Sequence, residues 1–300
     1  MEEEKLINKQ KIMIPNSSIK KISVFPSGNI ITILSDRSIK IFDKNLILYE
    51  NILNAHDSDI IDINIKDENN FATCSNDLNI ITWIKMNNEN KFNPYQTIYF
   101  AHYYFITKII YCPNGNIISC SQDCTIRIWE KKLNNIYQCM ITLTHSYEVY
   151  SILLLEDKKI LISSGYDGTK FYSLYNYECI YYNTKINTNN NSLIERFDEN
   201  RIIIGKNDLI QIFSVLEKKI IKEIHNGFLC HGISVFENKG IFLVGGESND
   251  IKIYKSENYE CIQIVEDAFN KTFIQGLFNL NNNSVIIYNL NSLGILKLNF

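Results

Sequence analysis

Ile117-Ile118-Ser119-Cys120-Ser121-Gln122-Asp123-Cys124-Thr125-Ile126-Arg127-Ile128-Trp129 decides the fold. A short apolar run leads into small residues and an Asp. A second run then alternates apolar and polar residues and ends in Trp. That is a β-hairpin pattern, a tight turn with period-2 alternation on its second arm. The stretch Phe71-Ala72-Thr73-Cys74-Ser75-Asn76-Asp77-Leu78-Asn79-Ile80-Ile81-Thr82-Trp83 has the same frame. So do residues 35–42, 164–169, 206–213 and 248–254, with a weaker copy at 291–298.

The turns centre on positions 36, 77, 123, 167, 207, 248 and about 291, with spacings of 41, 46, 44, 40, 41 and 43. A period near 42 residues with four strands per unit is the blade length of WD40 propellers. The chain resembles the WD40 family over essentially its whole length. The resemblance implies an all-β fold, a seven-bladed β-propeller of four-stranded antiparallel blades, as a single domain over residues 1–300. The last repeat stops after its third strand, and an unpaired strand at about residues 6–14 precedes the first. The expectation is that this amino-terminal strand completes the last blade and closes the fold, removing two open sheet edges.

The resemblance also implies a hydrogen-bonded tetrad in each well-kept repeat: His before the first strand, Ser or Thr on the second, Asp in the turn, Trp on the third. Repeat two supplies His56, Thr73, Asp77 and Trp83; repeat three supplies His102, Ser119, Asp123 and Trp129. The two histidines lie 46 residues apart, as do the two Trp residues. Repeat four has His145, Ser163 and Asp167, with Ser173 expected at the Trp position. Repeats five and six place Asn207 and Ser248 at the Asp position and Phe213 and Tyr254 at the Trp position. His225 is a candidate for holding the loop of repeat six.

Composition bounds the rest. Hydrophobic residues make up 45% and charged residues 21%, ordinary for a globular chain and against wholesale disorder. The 53 Ile, 39 Asn and 4 Ala read as an A+T-biased coding sequence. The Ile excess still favours strands, and the Asn-rich stretches at 87–90, 187–191 and 281–283 read as loops. A net charge of −3 without a long basic block argues against nucleic acid. The start Met1-Glu2-Glu3-Glu4-Lys5 has no apolar leader, and no apolar run approaches the roughly 18 residues of a membrane span. The eight cysteines form no C-x-x-C pair, so the expectation is reduced thiols in the cytoplasm, with the nucleus also open.

Nothing in the sequence assembles a catalytic centre. There is no phosphate-binding G-x-x-x-x-G-K-[ST], no G-x-S-x-G and no H-E-x-x-H. Cys230-His231 lacks further residues at ligand spacing, so no metal or cofactor is expected. Cys120 and Cys124 read as small strand-end residues, Asp57 and Asp59 as a solvated loop, and Gly245-Gly246 as a turn with no following helix. The aromatic loops are more informative. Tyr103, Tyr104 and Phe105 lie ahead of a first strand, Tyr147 occupies the matching loop of the next repeat, and Tyr166 lies in its hairpin turn. Phe228 and Phe269 occupy similar loops further on. Exposed together, such rings would form a docking patch.

The resemblance therefore implies a non-enzymatic protein–protein interaction scaffold, an adaptor whose partners dock on the narrow top face, with other proteins as partners and no membrane insertion. An alternative is a substrate receptor of the ubiquitin system. Trp129-Glu130-Lys131-Lys132 is similar to the W-D-x-R ending of such propellers, although Lys lacks the planar fork of Arg. A small-molecule-binding or enzymatic propeller is the other alternative, and it would need polar groups converging in the channel.

Overall fold

Ile, Val, Tyr and Phe pack well on a pleated, half-buried surface, and in this chain they fill the inward faces of the strands. The computed structural model describes residues 7–86, 91–133, 135–186, 188, 193–268 and 272–298. Strand β1 (Ile7–Met13) comes first. Blade one is β2 (Ile19–Val24), β3 (Ile30–Leu34), β4 (Ile39–Phe42) and β5 (Leu48–Ile52). Blade two is β6 (Ile60–Asp67), β7 (Asn70–Ser75), β8 (Ile80–Met86) and β9 (Lys91–Ile98). Blade three is β10 (Ile106–Tyr111), β11 (Ile117–Ser121), β12 (Thr125–Lys131) and β13 (Tyr137–Thr144). Blade four is β14 (Val149–Leu155), β15 (Ile160–Gly165), β16 (Gly168–Ser173) and β17 (Cys179–Asn183). Blade five is β18 (Leu193–Arg196), β19 (Arg201–Lys206), β20 (Leu209–Ser214) and β21 (Lys219–His225). Blade six is β22 (Cys230–Phe236), β23 (Ile241–Gly246), β24 (Ser248–Lys255) and β25 (Cys261–Val265). Blade seven is β26 (Gly276–Asn281), β27 (Ser284–Tyr288) and β28 (Ser292–Lys297), with β1 as its fourth strand.

Every blade is an antiparallel meander. The expected fold class is what is found: seven four-stranded antiparallel blades, the last completed by the amino-terminal strand. That strand pairs in register from Ile7 opposite Lys297 to Met13 opposite Ser292. By chain contacts the blades fall into two compact units. Blades one to four form one unit (residues 20–42 and 48–190); blades five to seven form the other (1–19, 43–47 and 191–300).

Within each unit the core lies between successive blades. Phe25, Ile31 and Ile41 of blade one pack on Phe71, Trp83 and Phe92 of blade two. Ala72, Cys74 and Ile80 meet Ile106, Ile109 and Trp129 of blade three. In the other unit, Ile251 and Ile253 of blade six meet Val285 and Ile287 of blade seven. Glycine is required where backbones touch. A Cβ at Gly165 would stand 2.2 Å from the Glu148 carbonyl oxygen, and one at Gly246 would stand 1.7 Å from that of Leu229. Gly245-Gly246 is thus part of strand β23 and permits a close backbone approach.

The first strand of a blade has a free edge, whose N–H groups need partners. Side chains of β6 supply them for β10. Asp62 Oδ2 accepts the Ile109 N–H at 3.0 Å and Asn64 Oδ1 accepts the Tyr111 N–H at 2.9 Å. The other Asp62 oxygen pairs with Lys21 Nζ at 2.6 Å, so one buried carboxylate ties three successive blades together.

Removing β1 leaves β28 with an open edge. A chain lacking residues 1–14 is expected to melt several degrees below the full chain, because each kcal/mol lost shifts the midpoint by about 2–4 °C in a domain of roughly this size. Equal melting temperatures would overturn this role for β1.

Candidate interaction surface

The loops ahead of the first strands are held by buried polar chains. In blade two, Trp83 Nε1 donates to Thr73 Oγ1 at 2.9 Å, Thr73 Oγ1 lies 2.8 Å from His56 Nε2, and His56 Nδ1 lies 2.8 Å from Asp77 Oδ2. An indole nitrogen only donates. The Thr hydroxyl therefore accepts from Trp83 and donates to His56 Nε2, which leaves the imidazole proton on Nδ1, facing the carboxylate. Asp77 also accepts the backbone N–H groups of Asp57 and Asn79. Blade three repeats the chain, with Trp129 to Ser119 at 2.9 Å, Ser119 to His102 at 2.7 Å and His102 to Asp123 at 3.0 Å. Asp123 further accepts from the N–H of Tyr103 and from Thr125. The expected tetrad residues are thus brought together in both repeats.

Blade four departs in one residue. His145 reaches Ser163 at 2.7 Å and Asp167 at 2.6 Å. The Trp position belongs to Tyr172, not Ser173. Leu161 pairs with Tyr172 as Phe71 pairs with Trp83, because the hairpin turn of blade four is shorter. Tyr172 is buried, and its hydroxyl donates to the Thr144 carbonyl at 3.5 Å. Blade five needs a second correction. Asp208, not Asn207, matches Asp167, each standing one residue before the strand that leaves the turn. Ile204 replaces the Ser there, and Asp208 is exposed, so blade five has no polar chain of this kind among its described residues.

In blade six the expectation for His225 fails. His225 is 78% exposed at the end of β21, 3.7 Å from Asp208. Its neighbour Asn226 is fully buried and accepts from the Tyr254 hydroxyl at 2.9 Å. Val244 stands where blade three has Ser119, so Tyr254 reaches the loop directly. Asn226 lies four residues before β22, as His145 lies four before β14. That spacing was the signal in the sequence.

A carboxylate, an imidazole and a hydroxyl in line also describe a hydrolytic triad, but here the geometry serves the fold. His102 and Ser119 are wholly buried, and the Ser119 oxygen already accepts the Trp129 indole. Burial holds the His102 and His145 imidazoles below their ordinary value, outweighing attraction to Asp123 and Asp167. Burial works against ionisation of Asp77, Asp123 and Asp167, yet the hydrogen bonds from the histidines and the backbone hold all three carboxyls low. Other sequence candidates fall out similarly. Cys120 and Cys230 are buried thiols pushed up to about 12. His231 lies 3.6 Å from Glu247, and among the described residues no three metal-ligating side chains converge. Lys132 pairs with Glu130.

The aromatic loops form an exposed surface in the unit of blades one to four. Tyr103 is 80% exposed, Tyr104 and Tyr166 are 53% exposed and Tyr147 is 59% exposed. Thr107 Oγ1 donates to the Val149 carbonyl at 2.6 Å, which holds the loops ahead of β10 and β14 side by side. Arg127 lies over the Tyr103 ring at 4.9 Å, Tyr104 contacts Phe105, and Tyr166 packs edge-on against Tyr150. Tyr99 and Phe100 extend the patch. Both are 72% exposed, and the Phe100 N–H is held by Asn79. The sequence reading missed them because they follow a strand that ends one residue earlier. Phe228 does not present a free ring. It is half-buried against the core of blades five and six, with Lys252 over it at 5.3 Å. Phe269 lies outside the described residues.

These directions fix a pH dependence. His102 and His145 bind protons more weakly folded than unfolded, so stability is full above the unfolded value near 6.5 and falls as pH drops through it. The three aspartates add a second loss below their unfolded value of 3.8. The melting temperature is expected to decline between pH 7 and pH 5 and more steeply below pH 4. A flat profile from pH 7 to 5 would contradict the neutral histidines.

A family model described as WD domain, G-beta repeat matches residues 93–130. Comparison with curated proteins gives no match. The matched span runs from the last strand of blade two through the third strand of blade three. The same offset between repeat and blade puts β1 on blade seven. The chain thus carries a WD40 repeat at residues 93–130 within a fold of seven four-stranded propeller blades.

Proposed function

We propose that the protein is a non-enzymatic interaction scaffold, acting as one platform over residues 1–300, whose protein partners dock on the loops ahead of the first strands of blades three and four. WD40 propeller domains generally mediate protein–protein interaction, which supplies the class of function. The observation that carries the proposed site is the cluster Tyr99, Phe100, Tyr103, Tyr104, Tyr147 and Tyr166. These are large exposed rings on loops fixed from beneath by Asp123 and Asp167. Rigid aromatic side chains lose little conformational entropy on binding, and such residues are enriched at binding hot spots. Arg127, anchored to the Ala101 carbonyl at 3.0 Å, adds a cation beneath Tyr103. All eight cysteines are free thiols, which suits the reducing cytoplasm proposed as its setting.

The test is affinity purification from the native cell beside a Tyr103→Ala, Tyr104→Ala, Tyr147→Ala variant whose melting temperature is checked. Partners should fall about tenfold or more in recovery, since truncating a hot-spot ring costs about 2 kcal/mol or more. The variant should melt within about 2 °C of the parent, because exposed side chains contribute little to stability. An unchanged partner set with intact folding would overturn this choice of surface.

A further inference from the structure

At the end of β10 opposite the aromatic patch, blades two and three enclose a cleft of about 160 Å³. Its walls are aromatic: Trp83, Tyr95, Tyr111 and Tyr137. Lys66 and Lys131 also line it, one from each blade. Lys66 Nζ lies against the Gly115 turn, 3.8 Å from where a Cβ would stand, so it leans from blade two toward blade three. Lys131 Nζ lies 5.9 Å from the centre of the Tyr95 ring. Among the described residues neither ammonium has a carboxylate partner. Asp67, the nearby acid, is engaged by the Asn69 N–H and Asn70 Nδ2.

The rest of the site is fixed. Gln96 exchanges hydrogen bonds with the Tyr137 backbone, and the Tyr137 hydroxyl donates to the Gly115 carbonyl at 2.9 Å. Burial raises the Tyr111 phenol well above its ordinary value, so this wall stays neutral. A recess that mixes aromatic rings with Asn70, Thr82 and Asn135 and holds two unneutralised cations is good at attracting negative charge. The cleft has about the volume of five water molecules at roughly 30 Å³ each. It is smaller than the usual cavity for a whole small molecule, about 300 Å³ or more. It fits one functional group and the few atoms that carry it.

We propose that this cleft is a second binding site, separate from the aromatic patch, that takes a single anionic group, a phosphate or carboxylate borne on a ring or short side chain, between Lys66 and Lys131. The ring of the ligand lies on the tyrosine walls and the anion bridges the two ammonium groups. Lys contributes as a point charge here, so Arg should substitute for it in strength if not in geometry.

The test is calorimetric titration of the full chain with phenyl phosphate, benzoate and inorganic phosphate. Phenyl phosphate or benzoate should bind, more weakly as salt rises, and the organic anion should bind better than inorganic phosphate. Lys66→Ala and Lys131→Ala should each lower affinity about tenfold, close to the low end of the coupling measured for close charge pairs. Lys66→Arg and Lys131→Arg should keep most of it, and Tyr103→Ala should leave it unchanged. Binding of phenyl phosphate alone assigns the site to phosphate, and binding of both organic anions assigns it to carboxylate as well. No binding of either up to about 10 mM, a range that still registers interactions of roughly 3 kcal/mol, or equal binding by the folded double alanine variant, overturns the proposal.

Discussion

A one-way hydrogen-bond relay governs this molecule. Indole donates to hydroxyl, hydroxyl to imidazole, and imidazole to carboxylate. The carboxylate then collects backbone N–H groups from its own turn and from the loop ahead of the blade. Each group is buried and each donor has an acceptor, so the polar chain avoids the desolvation penalty of about 1–3 kcal/mol that an unpaired member would incur. Its effect is geometric. It fixes where the loop leaves the outer strand of one blade and enters the first strand of the next. In blades three and four that loop carries the exposed tyrosines.

The relay degrades along the chain without loss of the blade. Tyr172 replaces an indole and keeps its buried place, its hydroxyl donating to the Thr144 carbonyl. In blade six the middle of the relay is gone, and Tyr254 and Asn226 bridge the gap alone. In blade five Ile204, Phe213 and Asp208 leave packing only. Blades share their cores with neighbours, so an interface can carry a unit whose internal polar chain has vanished. The Asp62 carboxylate shows the same logic, binding a lysine on one side and a strand edge on the other.

The hairpins and their period were legible because alternation and Asp-containing turns are local signals, and β1 was legible because a repeat without its fourth strand needs one. The two complete tetrads followed from the same spacing. What was not legible depends on turn length. Blade four drops a residue between its second and third strands, which moves the aromatic from position 173 to 172. The same shortening hides Asp208 behind Asn207. Asn226 was overlooked because the adjacent histidine carried the expected chemistry, yet only burial tells which of two neighbours faces inward. The exposed rings Tyr99 and Phe100 were invisible for the opposite reason: an apolar side chain in a run of aromatics gives no sign of which way it points. Phe228 shows the error in reverse, a loop aromatic that turns to the core.

The pairing of Ile7 with Lys297 also sets an order of events in the making of the protein. At about 5 to 20 residues per second, β1 emerges from the ribosome roughly 15 to 60 seconds before its partner strand exists. Until then it must wait unpaired while blades one to six assemble from contacts close in sequence. Pairing across nearly the whole chain is entropically costly and slow. The last blade is therefore the last to form, and an interrupted chain would carry β1 as an unsatisfied strand, open to chaperones or to another molecule's β28.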